Sequence, residues 1–169
     1  MSDVNVTVSG NDINVQVGQP EYFGSFYSTQ DQASAGANTA NKMTLNTTDI
    51  SNGVSIVSSS RITIANAGIY NIQFSAQLDK TDSGDDVVDI WLCKNGSPVA
   101  NSNTQTTLTG NAGKHVAAWN FFVNAAAGDY YELCWSSPDA AVFLNYVAAA
   151  STPTRPAIPS VIVTVNKVG

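Results

Sequence analysis

Between Tyr70 and Leu78 the chain alternates without a break. Tyr70, Ile72, Phe74, Ala76 and Leu78 fall on one side, and Asn71, Gln73, Ser75 and Gln77 on the other. Side chains along a strand point alternately to opposite faces, so this stretch is a half-buried β-strand with one wet surface. Gly68, following Ala65-Asn66-Ala67, supplies the turn that starts it.

The rest of the sequence agrees with that class. Only 12% of residues are charged, about half the usual quarter. The polar surface must therefore come from Ser, Thr, Asn, Gln and Gly, which favour strands and turns over exposed helices. No long 3.6-residue period with caps occurs, and the chain reads as all-β. Its 169 residues fit one domain with a small appendage and suffice to bury a core without disulfide staples.

Charge excludes further classes. A net charge of −6 and a pI near 4.3 are the opposite of the basic stripe that a nucleic-acid binder needs. They equally exclude a polybasic membrane-surface protein. No apolar run approaches the ~18 residues of a membrane-spanning helix, so no membrane insertion is expected. The start, Met1-Ser2-Asp3-Val4-Asn5, has neither a basic nor an apolar signal region, which points to a cytosolic product. Cys93 and Cys134 each lie in a strand pattern without CxxC spacing. They read as buried thiols, with a cross-strand disulfide as the alternative.

Residues 1–19 stand apart. Val4, Val6 and Val8 alternate with polar residues, Ser9-Gly10-Asn11-Asp12 turns, and Ile13, Val15 and Val17 alternate again. This predicts a β-hairpin with one apolar face, closed off by Gly18-Gln19-Pro20. A lone hairpin is marginal in water, so those six side chains are candidates for an oligomer contact or an anchor on another protein. The main body, 20–169, divides into short strands at 22–29, 43–47, 53–57, 61–64, 69–78, 87–94, 98–108, 116–123, 130–136, 141–148 and 160–167. Loops are expected at 30–42, at the acidic 79–86, at 109–113 and within 137–158. The stretch 116–123 is apolar on both faces, which places it inside a sandwich or at a subunit contact. So many short strands imply a sandwich or jelly roll.

Three marks then occur in order: Gly68-x-Tyr70-x-Ile72-x-Phe74-Ser75, Trp91-Leu92-Cys93-Lys94-Asn95-Gly96-Ser97, and Ala127-Gly128-Asp129-Tyr130-Tyr131-Glu132-Leu133. Together they resemble the C1q/TNF-like jelly roll over residues 20–169, although the last strand, Ser160–Val165, departs from the family's usual ending. The resemblance implies a homotrimer with its termini at a base. The Asn95-Gly96 turn and 125–129 would then be basal, and 79–86, 109–115 and 137–158 apical. With an N-terminal hairpin and no collagenous segment, the chain is similar to bacteriophage fibre, knob and decoration proteins. That similarity implies a virion protein, made in the host cytoplasm, that contacts other virion proteins through its hairpin and displays its apex, with a host-surface glycan or receptor as a further partner. The alternatives are a carbohydrate-binding β-sandwich module and a secreted C1q-like ligand.

Candidate chemistry is sparse. His115 is the only histidine, and no GxSxG elbow or papain-like context accompanies it, so no enzyme and no cofactor are expected. The loop carboxylates Asp82, Asp85 and Asp86 offer oxygen ligands that suit Ca²⁺, but without an EF-hand frame they read first as a solvated acidic loop. Lys114, His115, Phe143 and Tyr146 are the apical, partner-facing candidates. Tyr70, Phe74, Trp91, Trp119, Phe121 and Tyr131 are assigned to the core or a trimer interface.

Overall fold

The computed structural model of the chain describes residues 4–10, 12–17 and 21–169, with strands 4–9 and 12–17 by backbone alone. The N-terminal hairpin is formed by β1 (Val4–Ser9) and β2 (Asp12–Val17), which pair from Val4↔Val17 to Ser9↔Asp12. Its side chains, including the six anchor candidates, and the 18–20 boundary lie outside the described residues.

The body continues with β3 (Phe23–Ser28), β4 (Gln32–Ala33), β5 (Asn41–Lys42), β6 (Thr47–Asn52), β7 (Val54–Val57) and β8 (Arg61–Ile64). Next come β9 (Gly68–Lys80), β10 (Asp86–Lys94), β11 (Ser97–Pro98), β12 (Thr104–Leu108) and β13 (His115–Ala125). The chain ends with β14 (Tyr130–Ser136), β15 (Val142–Leu144), β16 (Ala150–Ser151), β17 (Thr154–Arg155) and β18 (Val161–Lys167). Two antiparallel sheets result. One runs β6–β3–β18–β9–β13, with β15 and β4 extending it at one end, and the other runs β7–β8–β14–β10–β12, with β11 and β5 attached. Their inward faces share one core, so the fold is an all-β jelly-roll sandwich.

The alternation at 70–78 does what its period dictates. Tyr70, Ile72, Phe74, Ala76 and Leu78 are all buried and meet Ile90, Leu92, Leu133 and Trp135 of the opposite sheet. Turn chemistry sets the ends. Asn95 and Gly96 both have positive φ, at 50° and 84°, as a primed two-residue hairpin turn requires. Gly68 sits at φ 153°, and a Cβ there would lie 2.3 Å from Lys167 Cε and 2.6 Å from the Gly169 carbonyl oxygen. The position needs glycine for both reasons.

Several expected boundaries change. The strand expected at 98–108 is split into β11 and β12, because Asn101 turns the chain at φ 61°. Residues 43–46 lie outside any strand although Met43 and Leu45 are buried in the core, and β6 follows instead. β6 is a polar edge strand, Thr47-Thr48-Asp49-Ile50-Ser51-Asn52, with no alternation to reveal it. The loop expected at 30–42 holds two-residue strands, β4 and β5, and the strand expected at 141–148 shortens to β15.

The stretch 116–123 is not interior. β13 pairs only with β9 and forms the sheet edge, so its inward Trp119 and Phe121 are half-buried and its outward Phe122 is 65% exposed. Trp91 also leaves the core: on β10 the inward set is Val88, Ile90 and Leu92, which turns Trp91 outward and leaves it half-buried. Of the residues assigned to the core or a trimer interface, Tyr70, Phe74 and Tyr131 lie in the core.

Candidate functional site

The strand ends sort the loops into two groups. At one end, Asn95 Nδ2 donates to Asp129 Oδ1 at 2.8 Å, Lys94 Nζ pairs with Asp129 Oδ2 at 2.7 Å, and the Tyr130 N–H donates to Asn95 Oδ1 at 2.9 Å. Lys94 comes first, and Asn95 and the Ala126 N–H add to it, in holding the Asp129 carboxyl down to about 2. The C-terminus closes the same end, where the Ile69 N–H donates to the Gly169 carbonyl oxygen at 2.8 Å. β3 also begins here, with Phe23 opposite Asn166.

The other end gathers the loops 81–85, 109–114, 137–141 and 145–158. The Ala112 N–H donates to the Asp82 carbonyl oxygen at 3.0 Å, and the Gly110 N–H to Asp85 Oδ1 at 3.2 Å, tying the first two loops together. Asp82 and Asp86 do converge, but their third companion is Asp139, contributed by the loop after β14. Ligand oxygens of these three lie within 4.8 Å of one another. Asp85 instead caps the Gly110 backbone. The buried Lys80 ammonium, with no exposed side-chain surface, pairs with Asp86 Oδ2 at 2.8 Å and donates to the Gly84 carbonyl oxygen. Oxygen donors of this kind suit a hard cation, yet a covalently attached one already compensates Asp86. Asp82 Oδ1 is buried with no hydrogen-bond partner among the described residues.

Beside this cluster a groove of about 410 Å³ opens between the end of β9, the start of β13 and the 145–158 segment. Asp79 is buried at its floor: Oδ2 accepts from Asn145 Nδ2 at 2.6 Å and from the Lys114 ammonium, while Oδ1 accepts from the Lys80 N–H at 2.8 Å. Lys114 and His115, the partner-facing candidates, line it together with Val147, Ile158 and Arg155. Phe143 and Tyr146 do not line the groove. Phe143 pairs opposite Asp79 on the sheet, and the Tyr146 N–H donates to Asp31 Oδ1 at 2.7 Å. Nothing in the sequence singles out Arg155 or Asn145, whose roles depend on neighbours distant in the chain. A second, shallower cleft places half-buried Trp91 beside Asp89, Asn101 and Asn103.

No protein-family profile matches the chain, and no curated protein matches it by sequence. Among solved structures, a chain titled PRD1 vertex protein P5 is similar. It is 12% identical, the match covers 100% of this chain and 84% of that one, and the TM-score is 0.48. Likeness at that level is too low to carry a function across.

Proposed function

We propose that the chain is a non-enzymatic structural protein of a bacteriophage particle, a homotrimeric C1q/TNF-like knob or decoration protein. Its N-terminal hairpin attaches it, and its loop-bearing end faces outward. One observation carries the reading. From Gln77 down to Ile69, the outward face across β13, β9, β18 and β3 presents no Asp, Glu, Lys or Arg. Instead it offers Phe122 at 65% exposure and Val116 at 53%, with Ile162, Tyr27 and a field of Asn, Gln, Ser and Thr. A sheet face this broad, uncharged and studded with exposed apolar side chains suits burial against copies of itself. The five-and-five strand order, and the body's first strand and C-terminus sharing the end opposite the longest loops, support the jelly-roll family and the polarity.

Multi-angle light scattering on the purified chain tests assembly: a trimer mass is expected, and a monomer at micromolar concentration would refute it. Particle incorporation tests location, since virions assembled with a chain lacking residues 1–19 should not carry it. The outward Trp91 and its amide-lined cleft favour a second reading, a carbohydrate-binding sandwich module, which would be monomeric.

A further inference from the structure

The chain has seven Lys and Arg residues, and six are engaged within the fold. Lys42, Lys80, Lys94 and Lys114 pair with Glu132, Asp86, Asp129 and Asp79. Arg61 lies over the Tyr130 ring at 4.7 Å, and Lys167 over Tyr22 at 5.5 Å. Arg155 is the exception. Among the described residues its guanidinium has neither ion pair nor ring partner, and it lines the groove beside His115. In a chain of net charge −6, this places an exposed cation at a cleft with its charge uncompensated among the described residues.

The groove is built rather than incidental. Val147 and Ile158 exchange backbone hydrogen bonds, at 3.0 Å from the Val147 N–H and 2.8 Å from the Ile158 N–H, which closes the segment that carries Arg155. On the floor, Asp79 is balanced by Lys114 and held by Asn145, so the groove's uncompensated charge is that of Arg155. A planar guanidinium binds a carboxylate through two parallel hydrogen bonds. Val147 and Ile158 line the groove with apolar side chains, and the Gln77 side chain offers an amide. The volume, about 410 Å³, falls in the small-ligand range of roughly 300–1,000 Å³. An inorganic anion would leave those apolar side chains unused, and an extended peptide would not be contained.

We infer that this groove binds an acidic sugar residue, its carboxylate on Arg155, its C–H face on Val147 and Ile158, and its hydroxyls on the neighbouring amides. The inference rests on the outward placement of this end only for its biological purpose; the binding belongs to the isolated chain.

The test is calorimetric titration of the full chain with glucuronic acid and N-acetylneuraminic acid, against their methyl esters, glucose, acetate and sulfate. Saturable binding of an acid is expected, weakened about tenfold or more by esterification. Arg155→Ala should weaken it similarly, with Arg155→Lys intermediate because it keeps the charge and loses the fork. Arg155 is exposed, so the melting temperature should not move. The inference is overturned if no acid binds at millimolar concentration, or if esters, acetate or sulfate bind equally well. It is overturned too if binding survives Arg155→Ala but not Trp91→Ala, which would place the sugar in the other cleft. A monomer mass would refute the trimer while leaving this result untouched.

Discussion

Glu132 is wholly buried, yet its carboxylate is fully answered: Lys42 Nζ reaches Oε2 at 2.7 Å and Ser60 Oγ donates to Oε1 at 2.7 Å. Burial opposes ionisation, but these two bonds outweigh it and hold the carboxyl below its ordinary range. Removing Lys42 strands a charge inside the protein, so Lys42→Met should cost about 3 kcal/mol in urea unfolding. Glu132→Gln, which removes the charge as well, should cost about 1 kcal/mol. Asp129 gives the pH dependence. Its folded pKa is lowered from 3.8 to about 2, so its contribution is complete above 3.8 and is lost as pH falls toward 2. Asp129→Asn should flatten the stability curve across that window, as read by denaturant titrations at stepped pH. Neither residue's role is legible alone. The Gly128-Asp129 and Asn95-Gly96 marks were visible, but that they bond to each other across 34 positions is a fact of register.

Among the elements, β9 and β13 show how far pattern reaches. β9 was readable because it is flanked on both sides and faces a core on one side only, so its period-two alternation survives intact. For β13 the pattern leaves two readings open, because apolar residues on both faces have two physical causes: burial between layers, or a face that meets another subunit. The structure removes the first: β13 is an edge strand with Trp119 edge-on against Phe74 at 4.7 Å and Phe122 facing outward, and the proposed trimer would use the second. Phe122→Asp should therefore leave the melting temperature of the sandwich within a degree or two while shifting light scattering from trimer to monomer. Loss of folding together with assembly would instead make Phe122 a packing residue. The polar edge strand β6 escaped notice for the opposite reason: nothing on either of its faces needs to be apolar.

For the molecule as a whole, the backbone pairing of β1 with β2 leads to a direct expectation. A chain beginning at residue 20 should fold with an unchanged cooperative transition by circular dichroism, since among the described residues the core is drawn from the two large sheets. The all-β class, the core face of β9 and the tight turns are legible in the chain, because alternation, glycine and Asn-Gly act within a few residues. Folding, by contrast, brings Asp139 rather than Asp85 to Asp82 and Asp86, makes Lys80 the buried cation among them, and leaves Arg155 without an ion pair among the described residues. Those outcomes depend on which loops the sandwich brings to the same end. Contacts between residues tens of positions apart are set by sheet pairing, whose energy no local window contains.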